Sequence, residues 1–355
     1  MNIVKDIHAL RQDFIPEQVL ARRDVLQKTE TVFRGDGISS TIILKGNPGT
    51  GKTLIARYLI KSHPNYHGYY VNCYLTPSDR AIISELITGG TFRGDLQSAG
   101  MERLTRLLMD SLPQDRNFIV LDEAQSLRRS NASIVYLLSR SLELGGPPIK
   151  LMILTIEDPE MFMDKSTLAG IGTPKIVTLQ EYNAEELNEI LKQRTVLSLY
   201  EGMYTESAIS LIAELSEDTG SARVAIELLN RSIQAAERNG TILDEASVLT
   251  AYKEFSPPIE ENSLLDLEEW ELALLSKLIE NSTDSKFRAS ELKSLVPDQN
   301  DSRIYRFLRH LENSGFIKKT KVGKGYGGGV ENEYVFRIPP KMLEERVNKA
   351  QKTIH

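Results

Sequence analysis

The sequence predicts an α/β fold in which helices cover a parallel β-sheet, followed by a helical region and a small C-terminal domain. Three observations predict it. Apolar, β-branched runs alternate with helical patterns up to about residue 180, as in parallel sheets with crossover helices. From residue 183 to about residue 252 the pattern is purely helical. The chain then has three helical patterns and a β-hairpin, which is the order of a winged helix.

The composition limits the class of protein. The 355 residues are enough for two or three domains, and a hydrophobic fraction of 41% allows a sizeable core. Because the net charge is −6, nucleic-acid binding has to be local. The one cysteine, Cys73, excludes intramolecular disulfides and a zinc cluster of several cysteines. No secretory signal and no membrane-spanning run is apparent, which predicts a soluble, cytoplasmic protein.

A phosphate-binding loop follows the first predicted strand. Residues 46–53 fit the pattern GxxxxGK[ST], with a buried-strand run at 41–44 before them and a helical pattern after them. The alternative, an incidental glycine-rich turn, requires neither the strand before residues 46–53 nor the helix after them. In such a loop backbone N–H groups surround the phosphates, Lys52 reaches the outer phosphates and the Thr53 hydroxyl binds Mg²⁺. The residues expected to bind ATP or ADP are Gly46, Asn47, Pro48, Gly49, Thr50, Gly51, Lys52 and Thr53.

Two acids end another predicted strand. The apolar run 118–121 leads directly into Asp122 and Glu123, the pattern called Walker B. Beside a phosphate loop, the first acid holds Mg²⁺ directly or through water, and the second polarises a water against the outer phosphate. Strands often end in surface acids, but this pair follows a phosphate loop by about seventy residues with helical patterns between. We assign the metal to Thr53 and Asp122, and the base role to Glu123.

The other predicted strands are at 67–73, 150–155 and 175–179. Helices are predicted at 77–88 and 99–112, between the strand at 67–73 and the Walker B strand. Right-handed crossovers place the strand ends and the phosphate loop along one edge.

In the helical region, Ser221 is a suitable N-cap and Arg223 lies in the first turn that follows. An arginine there opposes the helix dipole, which indicates that Arg223 faces a phosphate. The alternative is an exposed arginine with no role.

The C-terminal domain follows a linker at 255–263 and carries a local positive charge. Its helices are predicted at about 264–280, 289–295 and 302–313, and two strands flank a glycine-rich tip at 323–329. From residue 286 to residue 328, ten basic side chains stand against four acidic ones, a net charge of +6. A helix in the major groove with a basic wing on the adjacent backbone explains both features. The residues expected to bind DNA are Arg303, Arg306, Lys318, Lys319, Lys321, Lys324 and Tyr326.

Together, the phosphate loop, Walker B, the helix that opens with Gly-Ser-Ala-Arg at 220–223 and the winged helix resemble the AAA+ initiators of archaeal DNA replication. Those proteins are similar to the origin recognition complex and its helicase-loading partner. The resemblance covers nearly the whole chain. It implies an AAA+ nucleotide-binding domain at 1–182, a helical lid domain at 183–255 and a winged-helix DNA-binding domain at 264–340.

Particular stretches carry the resemblance. Residues 14–17, with two arginines at 22 and 23, look like the family's segment that borders the adenine, which implies contacts from Ile15 and Pro16. The stretch from residue 181 resembles the start of the family's lid and implies that Tyr182 and Ile190 also bind the nucleotide. Residues 220–229 resemble the second-sensor helix, which implies that Arg223 contacts the γ-phosphate and acts with Lys52, Asp122 and Glu123.

Two positions depart from the family pattern. Glu157 stands near the place where the family usually has an asparagine that senses the γ-phosphate. Between Asp164 and Lys175, where an arginine finger is expected, there is no arginine, and the substitutes Lys165 or Lys175 lack the planar fork. Because an arginine finger contributes orders of magnitude in rate, we predict slow or partner-dependent ATP turnover, with ATP acting as a switch.

The resemblance implies an ATP-regulated initiator that recognises duplex origin DNA and helps to recruit the replicative helicase, with other initiator subunits as further partners. It implies nucleoid association and an extra DNA-contacting element within 75–98, where Arg80 and Arg93 are candidates. One alternative is a transposon- or plasmid-associated AAA+ regulator, because Asp122-Glu123-Ala124-Gln125 also resembles target-selecting transposition ATPases. Another is a non-enzymatic adaptor that keeps its nucleotide and binds a protein through the winged helix. The low aromatic content, 7%, favours duplex over single-stranded DNA.

Overall fold

The described part of the chain divides into two compact units in a computed structural model. The sheet unit is Arg11–Glu181, and the helical unit is Met1–Leu10 with Tyr182–His355. None of the helices in the described ranges is long and apolar enough to cross a membrane. The described residues are 2–33, 40–89, 96, 99–130, 132–217, 219–254, 264, 267–281, 286–297, 299, 301–314, 316–323, 330–336, 343, 344 and 347.

The sheet unit contains the predicted parallel sheet. All neighbouring strands run parallel, in the order β2-β3-β4-β1-β5. A sheet covered on both faces requires apolar residues at successive positions, which is why these strands read as continuous hydrophobic runs. The α/β fold class is therefore confirmed. The strands are β1 (Ser40–Gly46), β2 (His67–Asn72), β3 (Asn117–Asp122), β4 (Ile149–Thr155) and β5 (Lys175–Leu179).

Helices cover both faces of this sheet, and each face has its own core. Strand β3 is buried along its whole length, with Ile119 and Leu121 in one cluster and Phe118 and Val120 in the other. Alternate side chains of one strand thus anchor two helical layers. The helices are α1 (Arg23–Glu30), α2 (Lys52–Ser62), α3 (Asp79–Thr88), α4 (Met101–Ser111), α5 (Ser133–Ser139) and α6 (Lys165–Gly170).

The strand register brings the functional segments to one edge. Asn72 is level with Asp122 across β2 and β3, and Lys45 is level with Thr155 across β1 and β4. Gly46 in turn pairs with Leu179 of β5. The carboxyl ends of parallel strands form the crevice in which α/β sheets bind ligands, so the phosphate loop and the Walker B acids share that crevice.

The helical unit begins with the lid. A capping box starts α7, because Asn183 accepts from the Glu186 N–H and the Glu186 side chain accepts from the Asn183 N–H. Ser221 caps α9, as the sequence predicts. The lid helices are α7 (Ala184–Ser198), α8 (Glu206–Glu217), α9 (Ala222–Asn239) and α10 (Glu245–Glu254).

The first ten residues pack with the lid, whereas the sequence assigned residues 1–182 to one domain. The buried Arg194 donates from Nη1 to the carbonyl of Ala9 at 2.9 Å, and Asn230 donates to the carbonyl of Leu10 at 3.0 Å. Tyr182 also joins this unit, with its N–H donating to the Gly220 carbonyl at 3.0 Å. The boundaries at 255 and 264 remain predictions.

The C-terminal part has the winged-helix order and an antiparallel sheet, β6-β8-β7. Two details differ from the sequence prediction. Leu264 is helical, but a bend at Leu267 precedes the helix Glu269–Asn281, whereas the sequence predicts one helix from about Leu264. The three-residue strand β6 is too short to give a sequence pattern. A core around Phe307 and Phe316 holds the elements together. They are α11 (Glu269–Asn281), β6 (Lys286–Arg288), α12 (Ala289–Leu295), α13 (Asp301–Asn313), β7 (Ile317–Gly323) and β8 (Val330–Phe336).

Candidate nucleotide site

The loop between β1 and α2 adopts a conformation that depends on glycine. Gly49 and Gly51 have φ values of 80° and 96°, in the left-handed region that side chains disfavour. Gly51 is the N-cap residue of α2, and Lys52 is its first helical residue. The loop therefore leads directly into a helix N-terminus, whose N–H groups and dipole favour anions.

Gly46, the first residue of the motif, is closely surrounded. A Cβ atom there would lie 2.9 Å from the Leu179 carbonyl oxygen and 2.9 Å from the Thr50 hydroxyl. The Thr50 hydroxyl in turn donates to the Asn47 carbonyl at 2.7 Å. The start of the loop thus packs against the end of β5 with no room for a side chain.

Lys52 is buried beneath the loop. Its Nζ donates to the carbonyl oxygens of Gly46 at 2.6 Å and Asn47 at 3.1 Å. These carbonyls orient the ammonium group at the base of the loop. A positive charge at this position favours a bound anion, as the sequence predicts for the outer phosphates.

Asp122 lies beside the loop helix and is almost fully buried. Its Oδ2 accepts a hydrogen bond from the Thr53 hydroxyl at 2.7 Å, and its Oδ1 accepts the Glu123 N–H at 2.8 Å. Mg²⁺ prefers carboxylate and hydroxyl oxygens with waters completing its shell. The adjacent oxygens of Thr53 and Asp122 therefore fit the metal role that the sequence predicts.

Glu123 departs sharply from the strand direction. Its φ of 55° lies in the left-handed region, which is unusual for a residue with a long side chain. Its carboxylate accepts from Gln125 Nε2 at 2.5 Å. Such strain persists where the surroundings fix a side-chain position, and it is consistent with a base held at the sheet edge.

Two further side chains hold the loop, and the sequence did not identify either role. The buried Arg22 donates from Nε to the Thr50 carbonyl at 3.3 Å and from Nη2 to the Gln180 carbonyl at 2.6 Å. Asn47 donates from Nδ2 to Glu181 Oε1 at 2.9 Å. Arg22 precedes α1 instead of lying within a helix, so its side chain turns inward to the loop.

The segment that the resemblance assigns to the adenine lies partly in each unit. Pro16 is buried and Ile15 is half-buried in the sheet unit. Tyr182, Ile190 and Arg223 belong to the helical unit, with Arg223 in the first turn of α9. Their nucleotide contacts stay predictions.

At the end of β4, Glu157 is buried and paired. Arg128, half exposed, donates from Nη2 to Glu157 Oε2 at 2.5 Å. Lys175 donates from Nζ to the Lys28 carbonyl and to the Thr31 hydroxyl, each at 3.0 Å. Lys165, the other substitute for an arginine finger, is an exposed first residue of α6.

Comparison with known proteins shows which proteins this chain resembles. A family model of the Cdc6 AAA+ ATPase-type lid domain matches residues 188–253, and a model of the AAA domain matches residues 39–154. Over 330 residues the chain is 28% identical to a Thermoplasma acidophilum protein assigned as ORC1-type DNA replication protein 1, covering 90% of this chain and 95% of that one. The chain is thus similar to ORC1/Cdc6-type AAA+ proteins over most of its length.

Solved structures have the same fold as this chain over nearly its whole length. The Aeropyrum pernix ORC2 protein, solved as ADPNP and ADP complexes, has a TM-score of 0.72 at 21% identity and covers 99% of each chain. The Aeropyrum pernix ORC1 protein in complex with DNA has a TM-score of 0.63 at 19% identity, covering 98% of this chain and 97% of that one. At these identities the likeness establishes the fold alone.

Several predicted DNA-binding residues of the winged helix lie on its surface. Arg303, Arg306 and Lys318 are exposed, and Lys319 is half-buried. The Arg303 guanidinium lies 5.1 Å from the Trp270 ring centroid and 3.7 Å from Glu268 Oε2. Lys321 lies in β7, whereas Lys324, Tyr326 and Arg93 lie outside the described residues.

Arg80, the other candidate in the extra DNA-contacting element, is engaged within the sheet unit. Its Nη1 donates to the Ala99 carbonyl at 2.6 Å and to the Leu96 carbonyl at 3.3 Å. These bonds fasten the start of α3 to the segment before α4. Arg80 therefore supports this part of the chain, and DNA contact by it stays a prediction.

The close surroundings of Gly46 generate a testable prediction. We expect Gly46→Ala to weaken nucleotide binding and to lower the free energy of unfolding by about 1–3 kcal/mol, because the new methyl group overlaps a backbone carbonyl of β5. Fluorescent-nucleotide titration and chemical denaturation measure the two effects. Gly100→Ala is the matched control, since a Cβ there meets nothing within 4 Å. Unchanged nucleotide affinity in the Gly46 variant would contradict the arrangement.

Proposed function

We propose that this chain is an ATP-regulated replication initiator that binds duplex origin DNA and helps to recruit the replicative helicase. The observation that carries the proposal is the hydrogen bond between the Thr53 hydroxyl and the buried Asp122 carboxylate, at the end of a phosphate loop. Similarity to the Cdc6-type lid model and to an ORC1-type DNA replication protein supports the replication role. In this proposal the bound nucleotide regulates the protein, and the protein binds duplex DNA.

The nucleotide is ATP or ADP with Mg²⁺. The N–H groups of the loop and the ammonium of Lys52 bind the phosphates, while Thr53 and Asp122 hold the metal. When bound, Mg²⁺ neutralises charge on the outer phosphates. Glu123, oriented by Gln125, polarises the attacking water. The structures of Aeropyrum pernix ORC2 with ADPNP and ADP support this assignment.

The pairing of charged side chains near the carboxyl ends of the strands supports slow hydrolysis of ATP. Glu157 adds a buried carboxylate beside the Walker B acids, and Arg128 neutralises it instead of an incoming phosphate. Lys175 is engaged with the end of α1. We therefore propose that hydrolysis is slow or depends on a partner that supplies an arginine, so that bound ATP acts as a switch.

Duplex DNA binds to the winged helix in this proposal. Arg306 on the exposed side of α13 addresses the major groove, and Lys318 and Lys319 on β7 address the adjacent backbone. From the sequence alone, we extend the proposed DNA-binding residues to Lys321, Lys324 and Tyr326. The Aeropyrum pernix ORC1 protein was solved in complex with DNA, which supports the DNA role for a chain of the same fold.

Removing the base should separate ATP binding from hydrolysis. We expect Glu123→Gln to reduce ATP turnover at least tenfold and to leave ATP affinity within about twofold, because general-base catalysis contributes about 10²–10⁴-fold. Phosphate release and nucleotide titration are the measurements. Glu160→Gln, an exposed glutamate beyond β4, is the control. Fast, DNA-independent hydrolysis by the unmodified chain would contradict the switch proposal.

Charge reversal tests the DNA surface. We expect Arg306→Glu to weaken duplex binding about tenfold and to lower the dependence of affinity on salt by about one ion, because one phosphate or base contact is lost. Lys61→Glu makes the same charge change on an exposed side chain at the end of α2 and should have little effect. Equal DNA binding by both variants would favour the adaptor that uses its winged helix for a protein.

The experiment that tests the whole function is retention of genomic duplex fragments by the protein with ATP and with ADP, followed by sequencing. Enrichment of a few repeated sites beside the protein's own gene, or beside other replication genes, is the result expected of an origin initiator. Retention only with ATP and without sequence preference would favour the transposon- or plasmid-associated regulator. Release of bound fragments on exchange to ADP would support the switch.

A further inference from the structure

A tyrosine on the neighbouring strand touches the metal-binding carboxylate. Tyr70 lies in β2, two residues before its end, and its register partner in β3 is Val120. Its hydroxyl donates a hydrogen bond to Asp122 Oδ2 at 2.6 Å. The Thr53 hydroxyl donates to the same oxygen at 2.7 Å, so the carboxylate is held from the loop helix and from β2.

The ring of Tyr70 is itself held by the helix that follows the phosphate loop. The Arg57 guanidinium carbon lies 4.6 Å from the ring centroid, within the range of a cation–π contact. Thr53 and Arg57 are four residues apart on α2 and therefore share one side of the helix. One side of α2 thus contacts both members of the Tyr70–Asp122 pair.

The surroundings keep the phenol a hydrogen-bond donor. Burial raises the pKa of the Tyr70 hydroxyl well above its ordinary value, and the adjacent Asp122 charge raises it further. A phenol with a raised pKa remains protonated at neutral pH. The Tyr70 hydroxyl is the donor in its bond to Asp122, and a carboxylate oxygen can only accept, so the direction of the bond is fixed.

We propose that Tyr70 is a positioning residue for the metal-binding carboxylate of Asp122, an inference that rests on the proposed binding of Mg²⁺ and nucleotide. Asp122 Oδ1 is fixed by the Glu123 N–H, and Tyr70 fixes Oδ2 from outside the phosphate loop. Groups that bond to a metal ligand in this way orient it, and their loss typically costs 10–100-fold in metal affinity or activity. Tyr70 therefore raises the affinity for Mg²⁺ and does not affect the affinity for nucleotide in the absence of metal.

The test compares Tyr70→Phe with Tyr69→Phe. The first change removes the hydroxyl that reaches Asp122 and keeps the ring beneath Arg57. Tyr69 is the matched control, because it is the adjacent residue of β2 and packs against the core on the opposite face of the sheet. Each protein is titrated with fluorescent ADP in EDTA, and then with Mg²⁺ at a fixed ADP concentration.

For Tyr70→Phe we expect the half-saturating Mg²⁺ concentration to rise about tenfold, with the ADP affinity in EDTA unchanged. Tyr69→Phe should match the unmodified protein in both titrations. An unchanged Mg²⁺ titration would overturn the inference, as would an equal loss of ADP affinity in EDTA, which indicates a purely structural role. If the unmodified protein binds no ADP in either condition, the proposed function fails and this inference fails with it. Binding of ADP that is insensitive to Mg²⁺ in every protein would overturn the inference alone.

Discussion

The bond between the Thr53 hydroxyl and the Asp122 carboxylate joins two segments that are 69 residues apart in sequence. The two segments approach each other across β4, which lies between β1 and β3 in the sheet. The order in turn depends on two apolar layers, each anchored by alternate side chains of β3. The chemistry of the site is therefore fixed by how the sheet is buried.

Two buried carboxylates lie near the carboxyl ends of the strands. Asp122 and Glu157 are both buried carboxylates, and each is held by donors of the fold: hydroxyls and an N–H for the first, an arginine for the second. A buried charge without such partners would be strongly unfavourable. Arg128 pairs with Glu157, so the charges of these two side chains balance each other at the end of β4.

Much of this arrangement follows from local sequence. The phosphate loop, the Walker B acids and the Ser221 cap are predictable because each pattern is written in a few consecutive residues. The roles of Tyr70 and Arg22 are not, since the first depends on β2 lying beside β3 and the second on an inward-turned side chain before α1. Likewise, helical spacing groups Arg303 with Arg306, but it does not predict that the Arg303 guanidinium lies over the Trp270 ring.

The central claim is that Thr53 and Asp122 together hold the cation of a bound nucleotide. The most direct measurement is a crystal structure with a non-hydrolysable ATP analogue and Mn²⁺, in which anomalous scattering locates the metal. The account predicts one manganese peak beside both the Thr53 hydroxyl and the Asp122 carboxylate, with the phosphates on Lys52 and the loop. A nucleotide bound away from the loop, or a metal remote from Asp122, would contradict it.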